Sequence, residues 1–293
     1  MKAGPARRRR PDWFGAHMSA AGGLFRAVER AVKVGCGVLQ IFVKNPNQWV
    51  GRRPDEEEVE RFRAAVLEAG LNSAVAHDSY LINLASPDDE LWRKSLSALR
   101  EELELSAKLG LEYLVVHPGA HLGSGESAGI QRIAEAIRQL FAETRGGRTR
   151  LALETTAGQG SNIGHRFEHL RDIMERIVEP ERLAVCVDTC HVFAAGYDFR
   201  TRESYKQMVS DFDRVIGLGN LALFHLNDSR RELGSRVDRH AHIGKGEIGR
   251  TGFRWIVQDE RFCRIPKILE TPKGAKGDWD RRNLRLLRRL EQG

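Results

Sequence analysis

A single rhythm limits the folds open to this chain: a short apolar run followed by an amphipathic stretch, eight times over. The runs are WFGAH near Trp13, VLQIFV from Val38, SAVAH from Ser73, YLVVH from Tyr113, LALE from Leu151, LAVCVD from Leu183, LALFH from Leu221 and KILE from Lys267. Runs this short and apolar read as strands covered on both faces. With helical stretches between them, the strands are expected to be parallel. Eight such units predict an α/β fold, a TIM (β/α)8 barrel with its functional site at the C-terminal face of the strands. An open doubly wound sheet is the rival, but no GxGxxG follows the first run and near-regular units favour closure.

The helical stretches carry their own end signals. DEEEVERFRAAVLEAG sets Val59, Phe62, Val66 and Ala69 on one face, puts acids in its first turn and ends at Gly70. LWRKSLSALREELELSAKLG does the same through Leu96, Leu99 and Leu103 to Gly110. RFEHLRDIMERIVEP is expected to bury Phe167, Leu170, Met174 and Ile177 and to stop before Pro180, and WDRRNLRLLRRLEQG closes the chain.

No composition shift divides the 293 residues, so one barrel over 12–293 is expected behind a basic, flexible leader over 1–11. With 41% hydrophobic and 30% charged residues, the chain belongs among globular proteins, not disordered ones. No apolar stretch approaches the ~20 residues that span a bilayer. MKAGPARRRRP lacks the apolar segment of a secretory signal, which points to the cytoplasm. Cys36, Cys186, Cys190 and Cys263 form no CxxC pair and are read as reduced. A net charge of +7 suits a polyanionic partner, because lysine and arginine gain affinity by displacing counterions from phosphates.

The residues that stop the apolar runs carry the chemistry. The first run stops at His17, and from the third onward the runs stop at His77, His117, Glu154, Asp188, His225 and Glu270. In a parallel barrel these ends converge on one face. Neutral imidazoles and carboxylates without sulfur suit zinc or manganese, and a carboxylate can bridge two ions where one imidazole nitrogen cannot, so a multinuclear site is inferred. His191, three residues beyond Asp188, can face the same cavity, and VDRHAH adds Asp238 and His240, which an extended segment projects to one side. Taken singly, each of these residues is more often a hydrogen-bonded structural group than a ligand; their concentration is what points to metal.

The motifs HDSYLINL, HPGAH, ETTAGQGSNIG, CVDTCHVFAAGYD, FHLNDS, GSRVDRHAHIGKGEIG and FRWIVQDERF, in this order, closely resemble the endonuclease IV family of zinc-dependent AP endonucleases, also called deoxyribonuclease IV. The likeness runs from FGAHMSAAGGL to ILET. It implies three zinc ions: His77, His117 and Glu154 at one, Glu154 shared with Asp188, His225 and Glu270 at a second, and His191, Asp238 and His240 at the third. Glu154, Asp188 and Glu270 are the implied catalytic carboxylates. The implied reaction is hydrolysis of the phosphodiester bond 5′ to an abasic site in duplex DNA, leaving a 3′-hydroxyl and a 5′-deoxyribose phosphate, with removal of 3′ blocking groups as a further activity. A monomer is expected, with no protein partner.

The resemblance also implies that Tyr80 and Leu81 enter the duplex, as apolar wedges do in DNA-kinking proteins. Their alternative reading is barrel packing. In FVKNPNQW, Asn47 stands where the family often has arginine, so the grip on DNA is expected to be weaker or to pass to Lys44 or Arg52. Thr155 likewise replaces a frequent asparagine. His17 is expected to contact DNA or support a ligand, His121 and His242 to orient ligands or touch phosphate, and His165 and His169 to sit on a helix surface or in packing. A sugar isomerase or epimerase barrel is the enzymatic rival, and a noncatalytic DNA-binding protein with structural zinc is the rival of another class.

Overall fold

The computed structural model describes residues 11–274 and 278–293. The basic leader, apart from Pro11, lies outside the described residues. Eight strands close into a barrel: β1 (Phe14–His17), β2 (Val38–Phe42), β3 (Ser73–His77), β4 (Tyr113–Val116), β5 (Arg150–Glu154), β6 (Leu183–Asp188), β7 (Leu221–His225) and β10 (Lys267–Leu269). Each pairs in parallel with its neighbours, and β1 closes the ring against β10. The expected barrel is therefore present and the open sheet is not.

The helices are α1 (Leu24–Val34), α2 (Glu56–Glu68), α3 (Asp89–Leu109), α4 (Glu126–Glu143), α5 (Phe167–Met174), α6 (Thr189–Ala195), α7 (Arg202–Val215), α8 (Gly249–Gln258) and α9 (Asp278–Gln292). Among the described residues none is long and apolar enough to cross a membrane. Their ends follow local chemistry. Asp55 caps α2 by accepting from Glu58 N, Asp88 caps α3 by accepting from Leu91 N, and Gly110, at φ 73°, ends α3 in the left-handed conformation that glycine adopts without penalty. α5 is shorter than expected: it ends at Met174, and Ile177 reaches the core from the turn beyond.

Two apolar layers hold the barrel. Outside it, the helices bury Phe62, Leu99, Phe141, Phe167, Phe193 and Leu284 against the outward strand residues. Inside, Val38, Val75, Val115, Ala152, Ala184, Cys186 and Ile268 fill the lumen. The space is tight where β1 meets β2: a Cβ on Gly15 would lie 1.9 Å from the Val38 carbonyl oxygen, so glycine is the residue that fits there. A small antiparallel pair, β8 (Asp228–Ser229) and β9 (His240–Ala241), stands above the mouth after β7, an element the eightfold rhythm did not announce.

Candidate metal centre at the barrel mouth

Side chains alternate along a strand, so the residue two beyond a lumen residue also faces the lumen, one layer higher. Val75 is followed in this way by His77, Val115 by His117, Ala152 by Glu154, Cys186 by Asp188, Leu223 by His225 and Ile268 by Glu270. The upper layer of the barrel is thus made of imidazoles and carboxylates because the lower layer is made of Val, Ala, Cys, Leu and Ile. His191 arrives differently. Asp188 is the N-cap of α6 and its Oδ1 accepts from His191 N at 2.9 Å, so one carboxylate both starts the helix and fixes the histidine three residues on.

Glu154, fully buried, is the hub. Its Oε2 lies 3.0 Å from His77 Nε2 and 3.0 Å from His117 Nε2, and its Oε1 lies 2.8 Å from His225 Nδ1 and 3.4 Å from His191 Nδ1. His225 Nδ1 is also 3.3 Å from Glu270 Oε2 and 4.0 Å from Asp188 Oδ2. On the far side Asp238 spans two rings, with Oδ2 3.2 Å from His191 Nε2 and Oδ1 3.2 Å from His240 Nε2, and His240 Nε2 is 3.7 Å from Asp188 Oδ2. All nine residues expected at the centre meet there.

The ring protons are accounted for by acceptors behind the site. His77 Nδ1 donates to the Asp78 carbonyl at 2.9 Å, His191 Nδ1 to the Thr155 carbonyl at 2.8 Å and His240 Nδ1 to the Glu270 carbonyl at 3.3 Å. Each of these rings, when neutral, turns the lone pair of Nε2 toward the carboxylates. His240 Nε2 is buried and makes no well-aligned hydrogen bond, although Asp238 Oδ1 lies 3.2 Å away. Lone pairs facing carboxylate oxygens repel unless positive charge lies between them. Nitrogen and oxygen donors with shared carboxylates are the donor set zinc takes.

The electrostatics agree. Burial alone would lower His240, yet Asp188 and Asp238 hold it up at about 9. His77 and His191 are likewise raised against burial, chiefly by Asp78 and Asp188 respectively. Burial would raise Glu154, but His225 and His117 keep its carboxyl well below the usual range. The pocket therefore demands cations, which protons supply even at neutral pH and divalent ions supply by displacing them. Cys190 lies beside Asp188 and His240, but burial and the Asp188 charge push its thiol up to about 12, so it stays protonated.

Around this centre stand the residues expected to meet DNA. Tyr80 is 69% exposed beside it, its ring 5.3 Å from Phe42, while Leu81 is half-buried. Asn47 is exposed, and His17 lines a cavity of about 700 Å³ whose wall also carries Arg52 and Lys273. Lys44 corrects the expectation: its ammonium turns inward, 3.1 Å from buried Glu102 and 3.1 Å from the Trp49 carbonyl. Because Glu102 also takes Ser79 N–H at 3.2 Å, Lys44 joins two loops beneath the surface and presents no charge above it. His121 accepts from Gly123 N and Gly125 N, organising its own loop, and His242 stacks on Trp279 at 3.9 Å.

Gln40, Asp78 and Asn227 escaped the sequence reading. Gln40 touches His17, His225 and Glu270, and Asn227 gives Nδ2–H to Asp188 Oδ2 at 2.6 Å while its Oδ1 accepts from Glu270 N at 2.9 Å. For Gln40 a signal existed: an amide inside the apolar run VLQIFV must find partners if the run is buried.

A second cluster, Glu126, His165 and His169, lies beside α5. Gly164 N–H approaches His169 Nδ1 at 3.2 Å, while His169 Nε2 faces both the Arg166 Nε–H donor and, at 3.2 Å, Glu126 Oε2. Arg166 Nη2 lies 2.7 Å from that oxygen, and its Nε is 2.9 Å from His169 Nε2. His169 is buried in packing, so the helix-surface alternative does not hold for it.

A family model described as xylose isomerase-like TIM barrel matches residues 28–290. A protein of Geobacter sulfurreducens named "Probable endonuclease 4" is 53% identical over 279 residues, 95% of this chain and 94% of that protein. One of the same name from Chloroflexus aurantiacus is 54% identical over 280 residues, 96% and 98% of the two chains. Among solved structures, endonuclease IV from Thermus thermophilus superposes with a TM-score of 0.84 at 40% identity, covering 95% of this chain and 98% of that one. A D-tagatose 3-epimerase-like protein superposes at 0.72 with 17% identity over 95% and 98% of the two chains, a likeness of fold alone.

Proposed function

The chain belongs to the endonuclease IV family of xylose isomerase-like TIM barrels, and from that premise we propose that it is a zinc-dependent AP endonuclease of DNA repair. It hydrolyses the phosphodiester bond 5′ to an abasic site, leaves a 3′-hydroxyl and a 5′-deoxyribose phosphate, removes 3′ blocking groups, and works as a monomer in the cytoplasm. His77, His117 and Glu154 hold one ion, Glu154 with Asp188, His225 and Glu270 a second, and His191, Asp238 and His240 the third. The observation that carries this reading is the convergence on Glu154 and Asp238 of imidazole nitrogens whose ring protons are held elsewhere.

When bound, zinc in such a centre acidifies water and draws negative charge from phosphate oxygens. The chain's own residues do the rest. Glu154, at the junction of the ligand groups, fixes their spacing; Asn227 holds Asp188 Oδ2 in place beside the centre, and Gln40 takes Glu270 Oε1 so that Oε2 is left facing His225. Tyr80 and Leu81 support the gap left by the missing base, where extruding the nucleotide costs less than extruding a paired one. Asn47 and His17 contact the DNA backbone.

The test is to load the purified protein with zinc, count the metal, and incubate it without magnesium on a duplex carrying one abasic analogue. About three zinc per chain and a single nick 5′ to the analogue are expected. Zinc-loaded protein that leaves the duplex intact overturns the assignment. One or two exchangeable manganese ions with turnover of a ketose would favour the epimerase-like reading.

A further inference from the structure

Gln40 sits in the middle of β2, fully buried, with its amide in the upper layer of the lumen. Its Nε2 lies 2.6 Å from Glu270 Oε1 and 3.0 Å from His17 Nδ1, and its Oε1 lies 2.8 Å from His225 Nε2. A carboxylate only accepts, so the end of the amide facing Glu270 is the NH2 group, and that choice decides everything else around it. The carbonyl end accepts from His225 Nε2, which must then carry the ring proton. His225 is left with its Nδ1 lone pair aimed at Glu154, Glu270 and Asp188. The second amide hydrogen goes to His17 Nδ1, so the proton of His17 lies on Nε2, a buried nitrogen with no partner among the described residues.

His225 is thereby set the opposite way round from its neighbours. His77, His191 and His240 turn Nε2 to the centre because a backbone carbonyl takes their Nδ1 proton, and a carbonyl is available at almost any sequence. Presenting Nδ1 instead requires an acceptor behind Nε2, and here that acceptor is a side chain.

We propose that Gln40 is a positioning residue of the centre, its single amide fixing His225 as a ligand through Nδ1 and His17 as the tautomer protonated on Nε2. The ligand role rests on the reading of this centre as a zinc site; the tautomers do not.

The experiment compares zinc-loaded wild type with Gln40→Met, which nearly keeps the volume and removes all three hydrogen bonds, and with Gln40→Glu, whose carboxyl must share a proton with Glu270 Oε1 at this distance and so keeps an acceptor for His225 but offers His17 no hydrogen. Long-range proton–nitrogen correlation spectra of protein labelled at histidine identify the protonated ring nitrogen, and competition with a chelator measures zinc affinity. In wild type both His17 and His225 should carry the proton on Nε2. Gln40→Met should release the His17 tautomer and weaken one of the zinc ions by about 10–100-fold. Gln40→Glu should keep His225 as in wild type while His17 is released. A wild-type His17 protonated on Nδ1, or a Gln40→Met protein with unchanged spectra and zinc affinity, overturns the inference while leaving the nuclease reading intact. Wild-type protein that takes up no zinc overturns both.

Discussion

Among the described residues, histidine and carboxylate gather both at the barrel mouth and beside α5, and the two clusters differ in what lies behind each ring. At the mouth, the Nδ1 protons of His77, His191 and His240 and the Nε2 proton of His225 go to acceptors outside the centre, and the remaining lone pairs face Glu154, Asp188, Glu270 and Asp238. Beside α5 the arrangement is reversed. N–H donors face both ring nitrogens of His169, the Gly164 backbone at Nδ1 and Arg166 at Nε2, and the Arg166 guanidinium already supplies the positive charge beside Glu126. The same residue type is accordingly driven in opposite directions: burial lowers both rings, but Asp188 and Asp238 bring His240 up to about 9, whereas burial and His165 take His169 down to about 4. Residue identity alone does not make a metal site. What does is the group behind each ring, because it decides which nitrogen is free.

Removing the hub carboxylate from each cluster gives the largest expected difference. Glu154→Gln replaces the shared oxygens with an amide that is a poor bridge, and should cut incision of an abasic duplex by at least about 10³-fold and lower the zinc count, with circular dichroism unchanged. Glu126→Gln should leave both zinc count and incision within about twofold of wild type. If Glu126→Gln also lost zinc, the contrast between the clusters would be gone.

The mouth cluster was legible in the sequence because strand alternation is a local rule. An apolar lumen residue at one position and a ligand two beyond it put His77, His117, Glu154, Asp188, His225 and Glu270 on one face whatever the loops do. What was illegible depends on partners remote in the chain. Lys44 read as a phosphate contact because nothing nearby in the sequence opposes it; its partner Glu102 comes from α3 and takes its ammonium inward. The β8–β9 pair that carries His240 is two residues per strand, too short to show a period. Asn227, in the stretch joining β7 to β8, looked like an ordinary loop residue, yet it ties Asp188 to the backbone of Glu270.

Asn227 offers a finer way to sharpen the comparison, since among the described residues nothing equivalent braces the second cluster to a neighbouring strand. Asn227→Leu should free Asp188 Oδ2 from its 2.6 Å hydrogen bond and loosen the Glu270 backbone, weakening zinc by about 10–100-fold in a chelator competition with a proportionate loss of incision at limiting metal. Excess zinc should restore most of the rate, which distinguishes a brace from a ligand. An Asn227→Leu protein that holds zinc like wild type would mean the carboxylates are aimed by the strands alone.

The smallest effect expected is on the second cluster itself and concerns pH. His169 titrates near 4 in the folded chain against about 6.5 when unfolded, so the folded state binds fewer protons between these values. Its contribution to stability is therefore complete above pH 6.5 and is lost as the pH falls toward 4. His169→Gln cannot take up that proton. The variant should be less stable than wild type by roughly 1 kcal/mol at neutral pH, where it loses a well-placed ring, and the gap should narrow or reverse by pH 4 as wild type alone pays for the buried charge. Melting curves at matched pH, read as the difference between the two proteins, remove the acid sensitivity that both share at the mouth. A gap that stays constant from pH 6.5 to 4 would show that the His169 ring is not held neutral, and the opposition between it and His240 would then rest on hydrogen-bond geometry alone.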